Sequence, residues 1–229
     1  MAEIIRPEAL PFDEAIAALL RKVNIPSESW TQIWQEMHAR AFTVAGAMRN
    51  DLVADFRKAV EKGITEGTTL ADFRRDFDQI VERHGWDFKG GRNWRSATIF
   101  NTNMRVLNSA GRYKQQTDPD VIAARPYFIY DAVNDNRTRP AHREWDGLVL
   151  PANDPWWDTH YPPNGWGCRC RVRNASQRDL DRLGLKVQAA PQQGTYEWAD
   201  PRSGEVREVP VGIDPGWAYH PGKAAIAAA

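Results

Sequence analysis

The texture of this 229-residue chain changes at Pro119, and that change constrains the fold more than any other feature. Before it, apolar residues recur every three or four positions. After it they come in short alternating runs, separated by clusters of Pro, Asn, Asp, Gly and Trp. The two textures imply an α+β protein in three parts. Residues 1–118 form a helical region with long helices, 119–217 a small loop-rich α+β module with short antiparallel strands, and 218–229 a flexible tail. No internal repeat is visible.

In the first part, PFDEAIAALLRKVN carries Phe12, Ile16, Leu19 and Leu20 at helical spacing, and Pro26 interrupts it. Ser27 or Ser29 can cap a second helix, in which Trp30, Trp34, Met37, Ala41, Val44, Met48 and Leu52 step by three and four. Run from Glu28 to Glu61, that helix would be about 50 Å long and would reach towards a neighbouring molecule. Thr69 and Asp72 read as a capping box ahead of Leu70, Phe73, Phe77 and Ile80, with Gly85 as the stop. A further helix begins near Trp94 and places Ile99, Asn103, Val106, Ala110 and Tyr113 on one face, where the Asn103 amide needs partners.

In the second part, PYFIYDAV (126–133) has strand character, CRCRVRN reads as a strand, and SQRDLDRLG as a short capped helix. TYEWAD, PRSG and EVREVPV read as a hairpin. Ten tryptophans are many for this length, and Trp145, Trp156, Trp157 and Trp166 gather near the cysteines, as suits a small core or an interface.

Charge and hydropathy exclude several classes. No run approaches the roughly 18 apolar residues of a membrane span, and the N-terminus lacks the pattern of a signal peptide, which implies a cytoplasmic start. Net charge is zero, so the whole chain exerts no general pull on nucleic acid. Locally, between Glu82 and Gln116, seven basic residues face two acidic ones. Arg83, Arg92, Arg95, Arg105 and Arg112 there are candidate contacts to phosphate or to an acidic surface; a solvated helix face is the simpler reading.

Cys168 and Cys170 are the two cysteines of the chain, separated by one arginine. Three readings compete for them and for the polar residues between 131 and 170. In an extended strand both thiols share a face and can converge with His142 or His160 on a tetrahedral zinc, although the usual spacing is two to four residues. Alternatively the thiols are small buried hydrophobes and the histidines hydrogen-bonded spacers. Catalysis is the third reading, with His142 or His160 as base and Arg137 as charge stabiliser in phosphodiester cleavage. A Cys168–Cys170 disulfide sits at the limit of bridge geometry, since alternate strand residues lie roughly 6.5–7 Å apart.

The context of the cysteines carries more. DNRTRPAHREWDGLVLP followed by DPWWDTHYPPNGWGCRCRV resembles the signature of the phage Mu F-like family of minor head, or head morphogenesis, proteins. NTNMRVLNSAGRY upstream and GIDPGWAYHPGK downstream resemble flanking motifs of that family, over about 68–223 in all. Asp135, Arg137, Thr138, Asn164, Gly165 and Arg169 fall on its motif positions. The resemblance implies a non-enzymatic structural protein of a tailed phage, active in the host cytoplasm during assembly and retained in the virion at the portal vertex or capsid interior. Portal protein, inner capsid or scaffold proteins and packaged double-stranded DNA are the implied partners. It also implies zinc on His142, Cys168 and Cys170, with Asp135 or His160 as fourth ligand. The long helix would then dock on a portal ring, and the arginines face DNA or an acidic surface. The alternative is a nuclease- or toxin-like module built on the His/Asp/Arg cluster of 135–170.

Overall fold

The computed structural model describes residues 12–227. Its helical scaffold is built on α1 (Asp13–Leu20), α3 (Asn50–Thr65), α4 (Leu70–His84) and α5 (Arg92–Gln116). The α4 boundaries follow the sequence signals. Thr69 Oγ1 accepts the Asp72 N–H at 3.3 Å, Asp72 returns the bond to the Thr69 N–H at 2.8 Å, and Gly85 ends the helix at φ +58°. Phe56 and Val60 of α3, Phe73, Phe77 and Ile80 of α4, and Phe100 of α5 meet in one core with Trp86. Gly63 lets α3 and α5 approach, because a Cβ there would stand 2.7 Å from the Phe100 ring.

The long helix expected over Glu28–Glu61 is not formed. Ser29 and Gln32 make a complete capping box around a single 3₁₀ turn (Trp30–Gln32), and Gln35 turns the chain at φ +47°. After α2 (Met37–Arg40) the chain extends as β2 (Ala41–Phe42), parallel to β1 (Val23–Asn24). The buried Lys22 ammonium donates to the carbonyls of His38 and Ala41, which a continuing helix would need for its own N–H groups. Of the residues in that apolar period, Ala41, Val44 and Leu52 are buried, whereas Met37 and Met48 are exposed. Trp30 and Trp34 pack within the molecule, Trp30 against Trp166 at 6.0 Å and Trp34 stacked on Trp198 at 5.4 Å.

Past α6 (Pro119–Ala124), the module is a three-stranded antiparallel sheet in the order β4-β3-β5, formed by β3 (Tyr127–Asp131), β4 (Val149–Pro151) and β5 (Arg171–Ala175). Between its strands lie two short helices, α7 (Pro140–Glu144) and α8 (Trp157–His160). The alternation of β3 assigns its faces. Phe128 and Tyr130 enter an aromatic core with Trp145, Trp157, Tyr161 and Trp217. Ile129 points the other way, to Val149, Ala175 and Leu180 of α9 (Gln177–Leu183). Helix α9 carries the expected box at Ser176 and stop at Gly184. The hairpin β6 (Thr195–Ala199) and β7 (Val206–Pro210) pairs in register from Thr195↔Pro210 to Ala199↔Val206.

Two expectations need correction here. The strand begins at Arg171, so both cysteines lie in the loop before it, although the alternation they start continues through buried Val172. Residues 221–227 are not a loose tail. They form α10 (Pro221–Ala227), whose Ala225 joins the scaffold core and whose Ala224 joins the aromatic core. Val106 of α5 also enters the aromatic core, so scaffold and module share α5 and α10. Among the described residues no helix is long and apolar enough to cross a membrane.

Candidate metal centre

Each wall of the cysteine site comes from a different loop, and each loop is held by its own polar clamp. After β3, Asn134 turns the chain at φ +57°, and Asp135 accepts the Arg137 N–H at 2.9 Å and the Thr138 hydroxyl at 3.3 Å. This Asx turn delivers Pro140 to the first turn of α7, where proline is tolerated, and α7 carries His142 inward. The Asp135 carboxylate receives both Arg169 nitrogens, at 2.6 and 2.5 Å. Arg169 and the Arg137 N–H hold that carboxyl far below the usual range. Both Asp135 oxygens are thereby engaged by Arg169, and Asp135 is not among the converging ligand atoms.

The PPNGWG loop is a second clamp. Its Pro162–Pro163 bond is cis, Asn164 is fully buried and accepts the Tyr130 hydroxyl at 2.9 Å, and the Gly165 carbonyl accepts the Cys168 N–H at 3.1 Å. Gly165 is required by contact: a Cβ there would meet the Asp214 carboxylate at 2.3 Å. Asp214 uses that space to accept the Trp166 N–H at 2.8 Å and to pair with Arg139 at 2.5 Å. Burial nonetheless raises the Asp214 carboxyl, with Arg139 opposing.

His142, Cys168 and Cys170 converge at the centre, with all three ligand-type atoms within 4.8 Å of one another; this is the one such cluster among the described residues. His142 Nδ1 lies 3.7 Å from Cys168 Sγ and 3.5 Å from Cys170 Sγ. Its Nε2 lies 2.8 Å from the Gly212 carbonyl, which can only accept, so Nε2 carries the proton and the Nδ1 lone pair faces the sulfurs. Metal-binding histidines are oriented in this way by a carbonyl behind the ring. Tetrahedral zinc, with bonds of about 2.3 Å to sulfur and 2.05 Å to nitrogen, sets those ligands about 3.6 Å apart. The donor set and spacing fit three of the four positions of a tetrahedral zinc. The Cys170 thiol donates to Cys168 and, against burial, holds Cys168 well below the ordinary thiol value. Cys170 moves up, through that shared proton and its own burial. A space of about 10 Å³ beside the thiols, walled by Thr138 and Gly167, is about the size of one water.

His160 does not join this set. Its Nε2 is 3.0 Å from Gln193 Oε1, its Nδ1 is 2.7 Å from Thr159 Oγ1, and its ring stacks on Trp156 at 4.2 Å. Trp145 stands between the histidines, its ring centroid 5.1 Å from each. Helix α8 turns His160 into the aromatic core, which the sequence did not reveal. Sequence reasoning also missed Gly212 and Asp214, which orient the site. Their signal lay in GIDPGW, 42 residues or more beyond the cysteines, with nothing local to connect the two.

The arginines scatter. Arg83 pairs with Asp55 at 2.9 Å, and Arg92 grips both oxygens of Asp78. Arg95 donates to the Ala45 carbonyl and lies 5.3 Å over Trp86, and Arg112 lies over Phe12. Arg105 alone of the five has no hydrogen bond or ion pair among the described residues, and it faces a cleft beside the cysteine loop. Asn103 donates back to the Ile99 carbonyl at 2.9 Å.

Scaffold and site together define an α+β protein whose loop-rich module is closed around a cluster of metal-ligand composition. The comparison with known families is more particular. The family described as Phage Mu protein F like protein matches residues 54–173, which hold all three cluster residues, and the chain belongs to that family. "Putative capsid assembly protein F" of Escherichia phage Mu is 37% identical over 244 residues, covering 94% of this chain and 55% of the relative. "Mu-like prophage FluMu F protein" of Haemophilus influenzae is 34% identical over 221 residues, covering 86% and 53%. The chain thus spans about half the length of the curated relatives it matches. No solved structure matches it.

Proposed function

We propose that this chain acts in phage head morphogenesis as a non-enzymatic minor head protein. It works in the host cytoplasm during assembly and remains in the virion at the portal or capsid interior. The observation that carries this reading is the likeness, over 94% of the chain, to a protein named for capsid assembly. In the same proposal, His142, Cys168 and Cys170 hold zinc as a structural staple, which suits a module with few aliphatic residues. Bound there, zinc would cross-link α7 to the cysteine loop.

The engagement of both histidines supports a structural role over a nuclease- or toxin-like one. His142 is committed to Gly212 and the thiols, and His160 to Thr159 and Gln193, so neither offers a free nitrogen to a substrate. Contact with DNA has one candidate left from the sequence, Arg105. The test is to sediment heads from induced cells and assay for the chain by mass spectrometry. Co-sedimentation with portal-containing heads, and defective heads on its depletion, are expected. A chain found only in the unassembled fraction, with normal heads in its absence, contradicts the reading. Plasmid cleavage abolished by His142→Ala would restore the nuclease alternative.

A further inference from the structure

A cleft of about 820 Å³ opens where the scaffold meets the module. One wall is a single face of α5, on which Trp94, Thr98, Asn101, Thr102 and Arg105 follow one another at helical spacing. The facing wall is the cysteine loop and the Asx-turn loop, which contribute Trp166, Arg137, Arg139 and Arg169. Lys22 and Arg95 bring the cations to six, and no Asp or Glu is among the described residues that line the cleft.

These cations divide by what they already hold. Lys22 and Arg95 donate to backbone carbonyls, Arg139 pairs with Asp214, and Arg169 grips Asp135 with both nitrogens. Arg105 holds nothing among the described residues although it is half-buried, and Arg137 comes no nearer than 3.9 Å to Asp135 through its guanidinium. Burial pushes the Arg105 guanidinium down, and the Arg169 and Arg137 charges add to this while Cys168 opposes. A guanidinium partly withdrawn from water with its donors free is set for an anion. Arg105, without a partner among the described residues, and Arg137, held by Asp135 only at 3.9 Å, come from different walls, so an anion between them would tie scaffold to module.

Space and lining select the anion. The volume lies in the roughly 300–1,000 Å³ range of pockets that take small ligands and short chain segments, and a rigid duplex cannot enter. A single nucleic-acid strand would need a series of open aromatic faces. Trp30 and Trp166 are already packed together at 6.0 Å and against Trp198 and Trp217, which leaves Trp94 as the exposed indole. Ile33 and Val106 give apolar contact, and Thr98, Asn101 and Thr102 can hydrogen-bond a peptide backbone.

We propose that this cleft docks an acidic segment of a partner polypeptide, with carboxylates paired to Arg105 and Arg137 and small apolar side chains against the floor. Binding is read on the isolated chain, so it stands or falls separately from the metal and head-assembly readings. The test uses a fluorescent dodecapeptide of repeated Glu-Ala-Leu, its Gln-Ala-Leu counterpart and an oligothymidylate of the same length, titrated with the full chain by anisotropy. The glutamate peptide is expected to bind about tenfold more tightly than the glutamine peptide. Arg105→Gln and Arg137→Gln should each weaken it about threefold or more, and the double Arg→Glu variant should abolish binding. Arg178→Gln, matched in charge to the single variants and placed on the exposed first turn of α9, should leave it unchanged. No binding of the glutamate peptide, equal affinity for both peptides, or full binding by the double variant overturns the proposal. Oligothymidylate binding more tightly than the peptide, and lost in the double variant, also overturns it and assigns the cleft to single-stranded nucleic acid.

Discussion

The scaffold and the module bury their interiors by different means. In the scaffold, Phe56, Phe73, Phe77, Ile80 and Phe100 pack between helices at the ordinary period, and α4 is closed by its own capping bonds. In the module the buried volume is mostly indole and phenol, and the loops between are fixed one by one: Asp135 on Arg169, Asp214 on Arg139 and the Trp166 N–H, His142 on Gly212. A helical core tolerates replacement by anything apolar of similar volume, whereas a clamped loop depends on one donor and one acceptor. The lesson is that the module's stability is concentrated in few contacts, and a metal on its cysteines would be the largest of them.

Four perturbations separate the two regions. Phe77→Ala, in the scaffold, should cost about 4 kcal/mol in urea unfolding, by the same amount with or without zinc. A dependence of that cost on zinc would mean that the regions are one energetic unit. Removing zinc with a chelator should cost about 3 kcal/mol relative to a hundredfold excess of free zinc over its Kd, seen first in near-ultraviolet tryptophan dichroism of the module. His142→Ala should abolish that difference. Gly165→Ala should cost about 2 kcal/mol because its Cβ meets Asp214, and the cost should shrink in an Asp214→Ala background. Additive effects would exclude the contact as the cause.

The smallest effect belongs to Lys22. Burial first, and Arg57 second, lower its pKa from the ordinary 10.5 to about 7. Between those values the unfolded chain holds the proton more tightly than the folded one, so stability rises with pH from about 7 towards 10.5. The gain between pH 7 and 8 should be about 1 kcal/mol, and Lys22→Met should flatten it. An unchanged slope in that variant would place the dependence elsewhere.

Local signals were legible where a side chain acts within a few residues of itself. The caps at Thr69 and Ser176, the stops at Gly85 and Gly184, the β3 strand and the hairpin all follow from neighbours in sequence. The helix through residues 28–61 was misread because apolar period alone cannot show that Lys22 takes the His38 and Ala41 carbonyls from a distance of 16 and 19 residues. The tail was misread for a related reason: Ala224 and Ala225 gain their burial from α5 and from both cores, not from their own segment. At the site, the approach of both thiols to a histidine was an expectation from residue type and spacing that left His142 and His160 as alternatives, and the family resemblance alone marked His142. The exclusion of His160 depends on Trp145 standing between the two rings, and the orienting role of Gly212 and Asp214 depends on a chain return that no local pattern announces.

The closure of α7 and the cysteine loop on one metal is tested most directly by loading the chain with cobalt(II) and recording its absorption alongside elemental analysis. One cobalt per chain is expected, with a thiolate-to-metal band in the near ultraviolet and tetrahedral d–d bands in the visible, displaced by stoichiometric zinc and lost in Cys168→Ser, Cys170→Ser and His142→Ala. Absence of these bands at saturating cobalt, or their persistence in all three variants, would contradict it.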